Sequence, residues 1–253
     1  MSSTHLVIPD PHAHPNYNND RALWVGKLIN DIQPDVVINL GDLADMPSLA
    51  SFDKGTRAAV GRTYRADTDS AVDFNDKLWS TVTARKRKLP RRVILIGNHE
   101  QRIEKAVNSQ PELHGAIGLN DLRYDDYYDD VVYYEGGTPG IITIDGISYA
   151  HYFPSGVMGR AISGEHPAYS LINKNYISST QGHTHTVDFC VRTRPDGNKV
   201  MGLIAGVYQD YDSPWAGNVN KLWWRGVVIK RDVEDGRYNP EFISIERLRE
   251  EYG

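Results

Sequence analysis

The sequence predicts an α/β fold. Three observations carry this: apolar runs alternating with helix-period segments through the first half, closely spaced turn signals through the second, and five polar fragments that each follow an apolar run. Leu6-Val7-Ile8 reads as the first strand. Ala22 to Ile32 reads as a helix, since Leu23, Leu28 and Ile32 can share a face and Asn19 or Asp20 stands near its start. Asp35 to Leu40 is a second buried strand, and the polar, Gly- and Arg-containing stretch from Ser48 to Arg65 reads as a long loop. A helix from about Asp67 to Lys88 follows, with Ala71, Phe74, Leu78 and Val82 at helical spacing. Arg92 to Ile96 is the third strand, and the order β-α-β-α-β predicts parallel strands joined by right-handed crossovers. Gln101 to Asn108 reads as a short helix; Pro111 to Asp130, rich in Asp, Tyr and Gly, has no clear periodicity. From Val131 onward the apolar runs shorten, and Gly136-Gly137, Asp145-Gly146, Pro195-Asp196-Gly197 and Asp235-Gly236 predict the turns of an antiparallel sheet.

Composition narrows the function classes. The polar fragments spread from Asp10 to His185 within 253 residues, so the reading is a single domain over 1–253. A net charge of −5 gives no global basic field to draw the chain onto nucleic acid or an anionic membrane. The single cysteine, Cys190, excludes an intramolecular disulfide framework. The N-terminus lacks a charged region followed by an apolar one, and no run of roughly eighteen apolar residues occurs, so a soluble, cytoplasmic protein is expected. Arg85-Lys86-Arg87-Lys88 with Arg91-Arg92 reads as a solvated helix end, where cations favour the dipole.

The chemistry sits in the five fragments: Asp10-Pro11-His12, Gly41-Asp42-Leu43-Ala44-Asp45, Gly97-Asn98-His99-Glu100, His151 and Gly182-His183-Thr184-His185. Each is placed where a buried strand emerges into a loop. In the first and last, the donors are two residues apart, so extended backbone would project both to one face. Asp42 carries two carboxylate oxygens and can bridge two cations. Imidazole nitrogen mixed with carboxylate and amide oxygen suits manganese, iron or zinc better than magnesium or calcium.

In this order the fragments resemble the calcineurin-like metallophosphoesterase superfamily, from about residue 4 to residue 190. The resemblance implies a four-layer αββα sandwich of two mixed β-sheets flanked by helices, with two divalent metal ions at one edge. It implies that Asp10, His12, Asp42 and His185 hold one metal and Asp42, Asn98, His151 and His183 the other, with a hydroxide between them as nucleophile. Manganese is the expected metal, with Fe, Zn, Ni or Co as alternatives. Two divalent cations against two ligand carboxylates leave about two positive charges to attract phosphate oxygens. His99 would donate a proton or touch the transition state, and Asp45 would orient it.

Arg102, in the first turn of the helix after Glu100, and Arg160, in the loop after His151, are candidate substrate contacts. Tyr208, Tyr211, Trp215, Trp223 and Trp224 read as packing aromatics rather than a base-stacking platform. His5, His14, His114 and His166 read as surface or packing histidines.

Protein phosphatases of the superfamily carry Arg-Gly after the Gly-Asp-x-x-Asp fragment, whereas Met46-Pro47 stands here. The run from Gly41 to Gly55 instead looks like the compact bacteriophage-type, Mre11-like members, and host cytoplasm would follow for a phage protein. The expected function is therefore hydrolysis of phosphodiesters in nucleic acid or nucleotides. A phosphomonoesterase for nucleotides or phosphoproteins, and a catalytically silent scaffold of the same fold, are the alternatives.

Overall fold

Alternate residues of the first strand feed two separate cores, and this alternation sets the layers. In the computed structural model, which describes residues 2–83 and 89–253, Leu6 and Ile8 face one core while Val7 faces the other. The first half supplies β1 (Ser3–Ile8), α1 (Arg21–Ile32), β2 (Val36–Asn39), α2 (Tyr64–Thr81), β3 (Arg91–Leu95), α3 (Gln101–Ser109), α4 (Tyr124–Tyr127) and β4 (Asp130–Val132). The second supplies β5 (Ile142–Ile144), β6 (Ile147–Tyr149), β7 (Pro154–Ser155), β8 (Arg160–Ala161), α5 (Pro167–Asn175), β9 (Ser179–Gln181), β10 (Val187–Thr193), β11 (Lys199–Ala205), β12 (Gly226–Glu234), β13 (Arg237–Ser244) and α6 (Ile245–Tyr252).

One sheet has the order β13-β12-β1-β2-β3-β4, and β1 to β4 run parallel as expected from the alternating helices. The other has the order β10-β11-β9-β6-β5. Val7, Ile38, Val93 and Leu95 of the first sheet share a core with Ile147, Tyr149, Leu203 and Ala205 of the second. Leu6, Ile8, Val37 and Ile94 share the other core with Val25 and Ile29 of α1, Phe74 and Leu78 of α2 and Leu248 of α6. Helix α5 covers the far face of the second sheet so closely that a β-carbon on Gly202 would lie 2.3 Å from the Ala168 carbonyl oxygen. The result is two mixed sheets packed face to face with helices outside, the αββα sandwich.

Several boundaries differ from the sequence reading. Helix α2 starts at Tyr64 because the Thr63 hydroxyl caps it, accepting from the Ala66 amide, and it ends at Thr81. The expected continuation to Lys88, including the basic run at 85–88, lies outside the described residues. Arg91 and Arg92 open β3 and pair with Asp130 and Asp129 rather than closing a helix. The second half is not simply antiparallel: β9 lies parallel between β6 and β11, and β12 leaves to pair with β1. Parallel β6 and β9 need a crossover, and α5 lies within it. Asp145-Gly146 and Asp235-Gly236 do form the expected tight turns, with positive φ at both residues of each. Among the described residues no helix is long and apolar enough to cross a membrane.

Candidate metal centre

Five strands deliver the five fragments to one edge of the sandwich. Asp10 and His12 follow β1, Asp42 follows β2, Asn98 and His99 follow β3, His151 follows β6, and His183 and His185 follow β9. The backbone geometry there departs from the extended reading. Asp10, His12, Asp42, His183 and His185 all have φ between 40° and 67°, the left-handed region that non-glycine residues rarely adopt. Each costs roughly 1–3 kcal/mol, offset by the surrounding fold. It is these tight turns, not pleated strand, that aim both side chains of each pair at the site.

Two glycines make room for the carboxylates. A β-carbon on Gly182 would lie 2.2 Å from Asp10 Oδ1, and one on Gly97 would lie 2.2 Å from Asp42 Oδ1. The Asp10 carboxylate is fully buried, and its Oδ2 accepts from the His183 amide at 2.6 Å while Oδ1 has no hydrogen-bond partner. Asp42 Oδ1 accepts from the His99 amide at 2.8 Å, leaving Oδ2 at 3.3 Å from His151 Nε2.

The donors form three overlapping groups, Asp10/His12/His185, His12/Asp42/His99 and Asp42/His151/His183, with the ligand-type atoms of each within 4.8 Å of one another. His12 Nε2 faces His185 Nε2 at 3.1 Å, and His185 Nε2 is 3.3 Å from Asp10 Oδ2. His151 Nε2 is 3.0 Å from Asn98 Oδ1 and 3.3 Å from His183 Nδ1. The other nitrogens are fixed from behind: His151 Nδ1 lies 2.9 Å from the Leu40 carbonyl, and His12 Nδ1 lies 3.0 Å from Asp45 Oδ1. Imidazole nitrogens turned toward one another and toward Oδ2 of Asp10 and of Asp42, with the buried Oδ1 of Asp10 left without a hydrogen bond, fit a bound cation, and the mixed nitrogen and oxygen donors fit a transition metal.

Electrostatics agree with that fit at His183 and His185, whereas His151 would have to give up a proton to a cation. Burial, with Asp42 nearby, pushes the Asp10 carboxyl up to about 7. Burial and the neighbouring His151 push His183 down to about 3; burial likewise lowers His185 to about 3, despite the opposing Asp42 charge. Both imidazoles are therefore neutral, the form that ligates. Burial opposes protonation of His151, but Asp42 outweighs it and holds that ring up at about 9.

His99 stands beside the donors. Its Nδ1 is 2.8 Å from the Asp45 carbonyl and 3.0 Å from Asp45 Oδ1, so Asp45 contacts both His12 and His99. Its Nε2 is 3.7 Å from Asp42 Oδ2 and 3.1 Å from the Arg102 guanidinium. A guanidinium only donates, so in this contact Nε2 accepts and Nδ1 carries the hydrogen toward Asp45. Arg102 also donates to the Asp45 and Met46 carbonyls at 2.9 and 3.2 Å. Arg160 lies exposed on β8 and is not among the residues lining the clefts beside the centre.

Sequence reasoning missed Glu100. Fully buried, it accepts from the amides of Asp42 and Gly97 through Oε2, and from the Ala44 amide and the Tyr124 hydroxyl through Oε1. It ties the turn bearing Asp42 to the turn bearing Asn98. Its place between His99 and α3 was the only signal. His14, read as a packing or surface histidine, also lines a cleft beside the centre, together with Asp45, His99 and Arg102.

A scan against protein-family models and a search of curated proteins find no match. Among solved structures, the chain is similar to a conserved uncharacterized protein from Streptococcus pneumoniae described as a predicted phosphoesterase. Identity is 13%, the match covers 97% of this chain and 91% of that one, and the TM-score is 0.37. A Thermus thermophilus protein matches at 11% identity and TM-score 0.39, covering 97% of this chain and all of that one, 100%.

Proposed function

We propose that the protein is a metal-dependent phosphoester hydrolase of the calcineurin-like superfamily, holding two divalent cations, with phosphodiesters as its preferred substrates. The observation that carries this is the chaining of three largely buried donor groups through His12 and Asp42. Asp10, His12, Asp42 and His185 would hold one cation, and Asp42, Asn98, His151 and His183 the other. When bound, the metals supply Lewis-acid polarisation of the phosphoryl oxygens and a lowered pKa for the attacking water. Manganese is our choice among the metals that these donors suit, and donors drawn from residue 10 to residue 185 support one folding unit.

The chain's own residues account for the rest. Arg102 meets His99 Nε2 at 3.1 Å, and a phosphate oxygen arriving there would take over that guanidinium donor. Nε2 is then free to hold the proton that the leaving alkoxide needs, while Asp45 keeps Nδ1 in place. Two clefts meet at His99 and Arg102, which gives a phosphorus centre there room for an alcohol group on both sides. This favours a diester, and Met46-Pro47 in place of Arg-Gly favours the compact Mre11-like type over protein phosphatases.

Manganese-loaded protein assayed with bis(p-nitrophenyl) phosphate and p-nitrophenyl phosphate tests the reading. Turnover of the diester at the higher kcat/KM is expected. Cleavage of the monoester alone would replace it with a phosphomonoesterase, and cleavage of neither would leave a silent scaffold.

A further inference from the structure

Two large rings stand in water at the mouth of the proposed centre. Phe52 is 63% exposed and Trp215 67% exposed, although both line the inner cleft, whose floor is Asp42, Asn98, His183 and His185. Both also line the outer cleft, which continues past Asp45 to the stacked pair Tyr17 and Tyr211, at 3.7 Å and 8°. The inner cleft measures about 410 Å³ and the outer about 370 Å³. Neither ring hangs free. The Arg102 guanidinium lies 5.7 Å from the Phe52 centroid, and Trp215 packs on Trp223 at 5.8 Å, which in turn meets the His185 ring edge-on at 4.4 Å. The loop bearing Trp215 is clamped by Asn220, which bonds the Ser213 amide and carbonyl and the Gly217 carbonyl at 2.9 Å each. The sequence reading made Trp215 a packing aromatic; its place in the fold is a rim.

Resting on the phosphoesterase reading, we propose that Phe52 and Trp215 form a stacking subsite for the base of a small nucleotide whose phosphate lies over the metal-ligand floor. Stacking on aromatic faces is how proteins grip a nucleobase without reading its sequence. The outer cleft adds polar groups suited to a base or ribose edge, among them His14, Asn16 and Ser213. A long nucleic acid fits less well, because it needs a track of cations along its phosphates. Of the cations lining the clefts, Arg62 is paired with Asp53 at 2.5 Å, which leaves Arg102 alone to meet a phosphate, while Asp45 and Asp53 add negative charge.

The test uses the full chain with manganese. Adenosine 5′-monophosphate and ribose 5-phosphate are compared as inhibitors of bis(p-nitrophenyl) phosphate hydrolysis and as quenchers of tryptophan fluorescence. The nucleotide should act at about tenfold lower concentration in both measurements. The Phe52→Ala/Trp215→Ala double variant should bring the ratio near one, and Trp215→Phe should keep the inhibition ratio while losing most of the quenching. Equal inhibition by the two compounds in the parent protein, or a ratio unchanged in the double variant, overturns the subsite even if ester turnover is normal. If no ester is turned over but the nucleotide still quenches at tenfold lower concentration, the subsite stands and the hydrolase reading falls. A long single-stranded oligonucleotide binding far more tightly than the nucleotide, with steep salt dependence, would overturn the small-nucleotide assignment.

Discussion

Gly182 stands against the Asp10 carboxylate so closely that a β-carbon there would sit 2.2 Å from Oδ1 and 3.0 Å from Cγ. Gly97 has the same relation to Asp42, with 2.2 Å to Oδ1 and 2.3 Å to the amide nitrogen. Gly97 precedes a donor after the neighbouring strand β3 and Gly182 one after β9 of the facing sheet, so in both cases the absence of a side chain in one fragment sets the position of the carboxylate in another. Gly182→Ala and Gly97→Ala must each push a carboxylate out of line. We expect manganese affinity to fall roughly 10–100-fold, as for other changes just behind metal ligands, in protein whose circular dichroism is unchanged. Calorimetric titration measures it, and parent-like affinity in both variants would refute the cradle.

His99 and Asp42 separate chemistry from metal holding. His99→Ala should keep its metal content but lose about 10²–10⁴-fold in kcat, the range for removal of a general acid. Asp42→Asn should lose metal itself, because Asp42 belongs to two of the three donor groups. Metal analysis beside rate measurement distinguishes the roles, and a demetallated His99→Ala protein would make His99 a ligand.

How much of this was legible in sequence follows from the range of the interactions. The donor fragments after β1, β2 and β3 were visible because a buried strand is a continuous apolar run and the chain must turn where it emerges, as at Ile8 before Asp10 and Leu40 before Asp42; the strand before His183 is Ser179-Thr180-Gln181, so that fragment was marked only by its own paired histidines. The turns at Asp145-Gly146 and Asp235-Gly236 were visible because positive φ at adjacent positions selects such residues. Helices α5 and α6 were not: with nine and eight residues they show barely two turns of periodicity, and contact with β11 and α1 decides them. The left-handed turns at Asp10 and His183 carry no glycine at the strained position. Glu100 was opaque because three of its four partners, Asp42, Ala44 and Tyr124, are 58, 56 and 24 residues away. Exposure of Trp215 depends on which way its clamped loop faces, which composition does not encode.

Glu100 is expected to be costly to alter even isosterically. Each carboxylate oxygen accepts two hydrogen bonds, and Oε2 receives those from the Asp42 and Gly97 amides, both at 3.0 Å. In Glu100→Gln one oxygen becomes an NH₂ that must face donors, so a buried bond to a charged acceptor is replaced by a donor clash. A loss of about 2–3 kcal/mol in unfolding free energy is expected. Tyr124→Phe, which removes one of four donors to that carboxylate and creates no clash, should lose less, about 1.5 kcal/mol. Urea unfolding of chelator-treated protein measures both, and a Glu100→Gln loss no larger than that of Tyr124→Phe would contradict the clamp.

Between the sheets, His5 supplies a pH dependence away from the metal centre. Its side chain is wholly buried, with Nδ1 at 2.7 Å from the Tyr149 hydroxyl and Nε2 at 3.0 Å from Asp145 Oδ2. Burial outweighs Asp145 and, with help from Lys230, lowers the imidazole from 6.5 to about 4. The folded protein thus keeps His5 neutral where the unfolded chain protonates it. The stability this contributes is intact above pH 6.5 and is lost as pH falls from 6.5 toward 4. At about 1.4 kcal/mol per pH unit, the loss between pH 6.5 and pH 5 is roughly 2 kcal/mol. Chelator-treated parent and His5→Gln proteins share every other titrating group, so the difference between their urea unfolding free energies at the two pH values isolates His5. The parent should lose about 2 kcal/mol more than the variant, and equal losses would mean that the ring accepts its proton without leaving the core.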